Sequence, residues 1–180
     1  MKKKLKVVLV MVTSVNGKST KGKMQSPNEW ASKEDQEYFR ALIEKHSLIV
    51  MGRRTYQAAK PVMKLVPGKR RIVITRSPGE FQKDAVGGQL EFTNESPRVL
   101  IQRAEELRYK TMLLVGGSSI NSLFFKEKLI DELWLTLEPT IFSDGKGLVG
   151  GEDSSISLQL KIVKKLNTKG TLLLKYQVIL

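Results

Sequence analysis

The sequence contains no cysteine and only one histidine among its 180 residues. Without cysteine the chain has no disulfide bond, no thiolate nucleophile and no cysteine-ligated metal, and this composition fits a reducing compartment such as the cytoplasm. A single histidine also argues against a histidine-rich metal site. We therefore expect a cytoplasmic protein that binds no metal.

Long hydrophobic runs are also absent. A bilayer-spanning helix needs roughly 18 or more apolar residues in succession, and no stretch approaches that length. The lysine-rich start and the apolar residues 7–12 resemble a signal peptide, but the run is too short and no small-x-small cleavage pattern follows it. A buried first strand is the better interpretation, and we expect no membrane partner.

Acidic residues are the minority of the charged set, with 18 Asp and Glu against 31 Lys and Arg and a formal net charge of +13. Such a balance is compatible with nucleic-acid binding. The basic residues are nevertheless scattered, no long basic run occurs, and the aromatics are not interleaved with arginines. We expect no nucleic-acid partner, and the surplus charge would instead steer anionic small molecules towards a cleft.

Length and periodicity predict a single α/β domain over residues 1–180. Strand and helix patterns alternate, which indicates a largely parallel sheet covered on both faces. A turn pattern at residues 167–170 predicts a hairpin and hence an antiparallel C-terminal edge. The predicted strands cover residues 5–13, 47–51, 71–75, 89–92, 111–115, 131–138, 156–165 and 171–179, and the predicted helices cover residues 32–45, 54–59, 96–108 and 118–127.

Two glycine turns, at residues 49–56 and 113–119, each join an apolar strand to a helix. A helix N-terminus offers unpaired N–H groups and partial positive charge, and glycine lets a phosphate approach the backbone. Neither turn is a Walker loop or a Gly-x-Gly-x-x-Gly motif, so the alternative is that glycine serves only the turn. Together they predict a nucleotide with more than one phosphate. The residues concerned are Gly52, Arg53, Arg54, Thr55, Val115, Gly116, Gly117, Ser118 and Ser119, with Ser118 as a candidate helix cap.

One acidic residue, Asp35, lies on the apolar side of the first predicted helix. It precedes Phe39, Leu42 and Ile43, which form the apolar stripe, so its carboxylate is expected to point inward. A buried carboxylate needs a partner, and the N–H groups of an aminopyrimidine ring would provide one. The alternative is structural, because Ser32 followed by an acid three residues later stabilises a helix start.

Five motifs in this order resemble the dihydrofolate reductase-like family, which includes folate reductases and the pyrimidine reductase domain of riboflavin biosynthesis. Trp30, Asp35 and Phe39 match the spacing of tryptophan, acid and phenylalanine in folate reductases. The other four motifs lie at residues 50–56, 67–77, 116–117 and 131–136. The resemblance covers most of the chain and implies a three-layer α/β/α fold with a mixed, mostly parallel sheet.

The resemblance also implies NADPH as cofactor and assigns roles to individual residues. Asp35 would be the catalytic acid, with Thr136 orienting its carboxylate, and the nicotinamide would lie beside the first strand. The pyrophosphate would meet the two glycine turns, and Arg53 with the Arg76 loop would receive the 2′-phosphate. Beyond those turns, the implied cofactor residues are Val12, Thr13, Gly17, Thr75, Arg76 and Ser77, and the implied substrate residues are Asn16, Trp30, Asp35 and Phe39.

The motifs divide between two branches of that family. Residues 14–18 and 138–147 resemble the pyrimidine reductase branch, although Asn16 stands where that branch usually has aspartate and could belong to a simple turn. The motifs around Asp35 and Gly52 resemble folate reductases. The leading expectation is reduction of 5-amino-6-(5-phosphoribosylamino)uracil, with dihydrofolate reduction as the alternative. A non-catalytic nucleotide or nucleic-acid binding protein is a second alternative. The resemblance further implies a homodimer, and the apolar segment 171–180 is a candidate for its interface.

Overall fold

The alternating segments of the chain form one eight-stranded sheet with four α-helices in a computed structural model that describes residues 5–24, 26–150 and 155–179. The strands are β1 (Lys6–Ser14), β2 (Leu48–Gly52), β3 (Arg70–Ile74), β4 (Leu90–Thr93), β5 (Thr111–Leu114), β6 (Glu132–Glu138), β7 (Ser157–Lys165) and β8 (Leu172–Ile179). The helices are α1 (Lys33–Lys45), α2 (Arg53–Ala59), α3 (Pro97–Glu106) and α4 (Ser118–Lys126). Each agrees with a predicted element to within two residues at either end. Three short 3₁₀ helices, Pro27–Glu29, Lys60–Val62 and Pro78–Asp84, were not predicted.

The strand order is β4-β3-β2-β5-β1-β6-β8-β7, in which the first six strands are parallel. Strands β8 and β7 close the sheet as an antiparallel hairpin, which confirms the predicted mixed sheet. Asn167 builds the hairpin turn by accepting hydrogen bonds from the N–H groups of Gly170 and Thr171, each at 3.1 Å. Because β5 lies between β2 and β1, the order of the strands reverses there, and such a reversal opens a crevice at their carboxyl ends.

Helices cover both faces of the parallel strands. Val7 and Leu9 of β1 belong to the core under α3 and α4, whereas Val8 and Val10 pack in a second core on the side of α1 and α2. A central strand buried on both faces needs apolar residues at every position. The short apolar run near the N-terminus is therefore a core strand, as predicted, and the three-layer architecture is confirmed.

Helices α1 and α3 do not follow a glycine turn, and each begins at a serine cap. The hydroxyl oxygen of Ser32 accepts from the N–H of Asp35 at 3.3 Å, and that of Ser96 accepts from the N–H of Val99 at 3.4 Å. Pro97 follows Ser96 as the first residue of α3, where its missing N–H costs nothing. The helix start predicted at Ser32 is confirmed, and Ser96 caps α3 in the same way.

Helices α2 and α4 begin differently, because glycine precedes each and neither has a side-chain cap. The prediction that Ser118 caps α4 is wrong. The chain already has extended cap geometry at Gly117, with φ −78° and ψ −168°, so Ser118 is the first helical residue. Its hydroxyl therefore cannot turn back onto the first N–H groups as a cap would.

No helix in the described ranges is long and apolar enough to span a bilayer. Within those same ranges, no three acidic or histidine side chains come together in a way that could hold a metal ion.

Candidate active site

A cleft of about 1500 Å³ opens along the carboxyl ends of the parallel strands, and residues of α1, α2 and α4 contribute to its lining. Most of the site residues predicted from the sequence line it, and they come from five separate segments of the chain. They are Val12, Asp35, Phe39, Gly52, Arg53, Arg54, Thr55, Thr75, Arg76, Ser77, Val115, Gly117, Ser118 and Ser119. Parallel strands end at one edge of a sheet, which is why segments so distant in sequence meet there.

The two glycine turns are in direct contact. The N–H of Gly52 donates to the carbonyl of Gly116 at 2.7 Å, and the Gly116–Gly117 peptide is cis. A β-carbon on Gly52 would lie 2.6 Å from Cγ1 of Ile120, and one on Gly116 would lie 3.0 Å from the sulfur of Met11. Glycine is thus required by the packing of the turns, while the helix starts that follow them face the cleft.

Asp35 is 6% exposed and contributes to the cleft wall. Burial raises the pKa of its carboxyl to about 6, a hydrogen bond with Thr136 opposes that rise, and the charge of Glu138 adds to it. The inward orientation predicted for Asp35 is confirmed. Thr136 itself is buried and reaches the cleft only through this hydrogen bond.

Glu138, at the end of β6, anchors the start of α1. One carboxylate oxygen accepts from the N–H and the hydroxyl of Ser32 at 2.8 and 2.6 Å, and the other accepts from the hydroxyl of Thr171 at 2.7 Å. Glu138 is 5% exposed, so these bonds satisfy a buried acid. Sequence reasoning missed this residue, although an acid at the inward positions of an apolar strand was a usable signal.

Trp30 does not line the large cleft. Its ring meets Phe142 edge-on, with ring centroids 5.0 Å apart, and it contributes to a smaller cavity of about 280 Å³ beside Glu138. The 3₁₀ helix Pro27–Glu29 turns the chain so that the indole packs on the segment after β6. The placement of Trp30 beside the substrate therefore stays a prediction that this geometry does not favour.

Asn16 joins the turn after β1 to the segment after β6. Its amide nitrogen donates to the carbonyl of Phe142 at 2.8 Å, and its amide oxygen accepts from the N–H of Phe142 at 3.2 Å and from the hydroxyl of Ser14 at 2.7 Å. Gly17 follows with φ +76°. Gly17 fits the simple-turn interpretation, whereas Asn16 also ties that turn to a segment 126 positions away. Neither residue is among those that line the large cleft, and neither are Thr13 and Gly116, so their site roles stay predictions.

Tyr38 and Arg71 are cleft residues that were not singled out from the sequence. Tyr38 lies one helical turn after Asp35, and burial together with the Asp35 charge raises the pKa of its phenol. Arg71, in β3, is 5% exposed and also lines the cleft. The usable signals were the helical spacing of Tyr38 from Asp35 and an arginine at the start of an otherwise apolar strand.

Comparison of the sequence with known proteins identifies a family and a relative. The model of the family described as the RibD C-terminal domain matches residues 5–172. An uncharacterized protein of Bacillus subtilis, YwjB, is 27% identical over 164 residues, which are 89% of this chain and 91% of that protein.

Solved structures show the same fold. A pyrimidine reductase-like protein from Corynebacterium diphtheriae superposes with a TM-score of 0.79 at 17% identity, covering 97% of this chain and 92% of the other. Dihydrofolate reductase from Enterococcus faecalis, complexed with NADP(H), gives a TM-score of 0.63 at 19% identity, covering 96% of both chains. The dihydrofolate reductase-like fold expected from the five motifs is confirmed.

Proposed function

The chain belongs to the RibD C-terminal domain family, and from this premise we propose that it is an NADPH-dependent reductase of a pyrimidine or pterin-type substrate. The observation that carries the proposal is the buried Asp35 carboxyl, which is bonded to Thr136 in the wall of a cleft that also holds two helix starts. A buried acid with a raised pKa in a cleft is the usual sign of proton transfer.

The residues at the glycine turns fit a dinucleotide phosphate. Helices α2 and α4 have no side-chain cap, so their first N–H groups and the exposed Arg53 and Arg54 are available to anionic oxygens. Arg76 and Ser77 follow the neighbouring β3 and would hold the 2′-phosphate. When bound, NADPH supplies the hydride.

The protein's own contribution is to position the substrate and to deliver a proton. Asp35 would accept hydrogen bonds from the N–H groups of a heterocycle, and Thr136 would hold its carboxyl in place. With a pKa of about 6, Asp35 carries a proton in a useful fraction of molecules near neutral pH, so it can donate one to the reduced product. Tyr38 and Phe39 would help to exclude water from that corner.

For the substrate, family membership favours 5-amino-6-(5-phosphoribosylamino)uracil, with the ribose C1 as hydride acceptor. Dihydrofolate, with its pterin imine as acceptor, is the second candidate, because Asp35 and the Gly52-Arg53 turn resemble folate reductases. We place such an enzyme in the cytoplasm, since the cysteine-free composition suits a reducing compartment.

The test is NADPH oxidation followed by absorbance, with each candidate substrate offered separately. Turnover with one compound assigns the branch. Asp35→Asn is expected to lower turnover by at least about 100-fold while NADPH affinity changes little. Glu37→Gln, an exposed acid on the same helix, is the matched control and should behave like the wild type.

Two outcomes would contradict the proposal. If NADPH does not bind, the cofactor assignment is wrong. If NADPH binds and neither compound is reduced, both named substrates are wrong, and binding to DNA that falls steeply with added salt would then favour the non-catalytic alternative.

A further inference from the structure

Glu138 is a buried acid that ties three segments of the chain together. It ends β6 and is 5% exposed, and one of its carboxylate oxygens accepts from both the N–H and the hydroxyl of Ser32, at 2.8 and 2.6 Å. The other oxygen accepts from the hydroxyl of Thr171, just before β8, at 2.7 Å. All three bonds are donated to Glu138, which is the pattern of an ionised carboxylate, because a protonated acid would donate a bond itself.

The charge of Glu138 is not balanced by a cation. Glu138 forms no ion pair within the part of the chain that the structure describes. Lys21 and Lys169 line the small cavity beside it, and both are exposed to solvent. Hydroxyl and amide donors stabilise a carboxylate without cancelling its charge, so the negative charge of Glu138 acts on its surroundings.

Asp35 is the acid that lies nearest to this charge along the strand. Thr136 and Glu138 are two residues apart on β6 and both are buried, so their side chains share one face of the strand, roughly 7 Å apart. The carboxyl of Asp35 is hydrogen-bonded to Thr136. Burial is the main cause of the raised pKa of Asp35, the Thr136 bond opposes the rise, and the Glu138 charge adds to it.

Other charged groups approach Asp35 from α1 and from the cleft. Tyr38 is uncharged at neutral pH, because burial and the Asp35 charge raise the pKa of its phenol. Glu34, the preceding residue, is bonded to the hairpin turn after β7. In the described ranges Asp35 forms no ion pair with the exposed basic residues that line the cleft from α2 and from the segment after β6, namely Arg53, Arg54 and Lys146.

Glu138 also fixes the backbone that carries Asp35. The hydroxyl of Ser32 donates to Glu138, and its oxygen accepts from the N–H of Asp35 at 3.3 Å. The carboxylate, the cap and the first turn of α1 therefore form one chain of hydrogen bonds. Glu138 is itself braced from the other side, because Thr171 accepts from the amide nitrogen of Asn167 at 2.9 Å while it donates to Glu138.

We propose that Glu138 is a positioning residue for Asp35, which holds the start of α1 against the end of β6 and keeps an unbalanced negative charge beside the Asp35 carboxyl. Glu138 is not among the residues that line the large cleft, so it acts through Ser32 and through its charge. Without that charge, Asp35 would release its proton more readily, and fewer molecules near neutral pH could donate one. The inference rests on the proposed function for the proton transfer, whereas the link between the two acids is a property of the protein without substrate.

The first test titrates the Asp35 carboxyl by carbon-13 NMR in protein labelled at its aspartates, with no substrate added. Glu138→Gln keeps the length of the side chain and an oxygen that can accept from Ser32, but it removes the charge. The pKa of Asp35 should fall from about 6 by about one unit, the order expected for a charge roughly 7 Å away at a partly buried site. Glu37→Gln removes an exposed acid from the same helix, and as the matched control it should leave that pKa unchanged.

The second test measures turnover against pH in the same variants, with the candidate substrate that the wild type reduces. At pH 7, Glu138→Gln should be about tenfold slower, because the protonated fraction of Asp35 falls about tenfold when its pKa falls by about one unit. The deficit should shrink to about twofold near pH 5, where much of the variant's Asp35 is protonated. Glu138→Asp keeps the charge but withdraws it from Ser32 by one methylene, so it should keep the pKa of Asp35 and lower turnover by a similar factor at every pH.

The proposal is overturned if the pKa of Asp35 is unchanged or raised in Glu138→Gln. It is also overturned if that variant loses the same factor of turnover at every pH, as a residue with a purely structural role would. If Glu138→Gln does not fold, Glu138→Asp decides, and either a lowered Asp35 pKa despite the retained charge or wild-type turnover despite the withdrawn carboxylate contradicts the proposal.

The NMR titration needs no turnover, so it separates this inference from the proposed function. A protein that reduces neither substrate but shows the lower Asp35 pKa in Glu138→Gln keeps the link between the two acids and loses the proposed function. A protein that reduces a substrate while the pKa of Asp35 does not respond to Glu138 keeps the proposed function and loses the inference.

Discussion

Burial of the Asp35 carboxyl, to which the proposed function assigns proton transfer, lowers the stability of the folded protein when the group is charged. Its pKa rises from 3.8 to about 6, which means that the folded protein binds this proton more tightly than the unfolded chain does. The folded state is therefore favoured most below pH 3.8, and this advantage is lost as the pH rises through about 6. At neutral pH the charged carboxylate costs on the order of 3 kcal/mol, from about 1.4 kcal/mol per pKa unit.

Asp35→Asn is thus expected to raise the free energy of unfolding by about 1–3 kcal/mol at neutral pH, because the neutral amide removes the buried charge. The gain should shrink towards pH 4, where the wild-type carboxyl is itself protonated. Urea unfolding at several pH values measures both effects, with Glu37→Gln as the control. A loss of stability at neutral pH would instead support the helix-cap interpretation of Asp35.

The sequence predicted the inward orientation of the Asp35 side chain, but it did not predict every residue that surrounds it. Helical periodicity placed its carboxyl inward, since that property depends only on residues one or two turns away. Glu138 and Arg71 were missed because their environment comes from distant segments. The Ser32 bonds of Glu138 span 106 positions, and the walls around Arg71 come from two other strands and the far side of the cleft.

Among the helices and strands, the two glycine turns bring the starts of α2 and α4 to the same edge of the sheet. Gly52 leaves room for Ile120, the third residue of α4, and its N–H bonds to the other turn. A side chain at this position would push the two helix starts apart. The dinucleotide site that we propose there depends on their separation.

Gly52→Ala is expected to destabilise the protein by about 1–3 kcal/mol, because the new methyl group would lie 2.6 Å from Ile120 Cγ1. NADPH affinity should fall with it. Gly79→Ala is the control, since nothing lies within 4 Å of a β-carbon there, and it should be nearly neutral. Thermal unfolding and NADPH titration measure the two effects.

A double-mutant cycle with Ile120→Ala tests the cause. If the clash is responsible, removing Cγ1 should make Gly52→Ala much less costly than it is in the wild type. Additive losses would show that the alanine acts through the backbone of the turn.

At the scale of the whole molecule, β7 carries a row of exposed apolar side chains, while the contribution of the C-terminal strand to a dimer stays a prediction. Strand β8 pairs on both sides, with β6 and β7, whereas β7 forms the edge of the sheet. The apolar side chains of β7 are 40–57% exposed, at Leu158, Leu160, Ile162 and Val163. A row of this kind on an edge strand favours association with a second copy.

We propose a homodimer that buries this edge, and we expect the wild type to elute as a dimer in size-exclusion chromatography with light scattering. Leu160→Lys should shift it towards the monomer, because a charge would have to be buried at the contact. Val99→Lys changes an equally exposed residue on α3 and should leave the dimer intact. A monomeric wild type would mean that the lysines of β7 are enough to protect the edge.

The sequence by itself determined the strands, the α-helices, the hairpin and the serine cap at Ser32, since periodicity, turn residues and most capping are decided within a few neighbouring positions. It also determined which segments carry the cleft, through glycine after apolar strands. The tertiary structure alone decided that Trp30 packs on Phe142, that Asn16 is bound by backbone groups, and that Arg71 has no partner. Whether a polar side chain is free or engaged depends on atoms that only folding brings within hydrogen-bond reach.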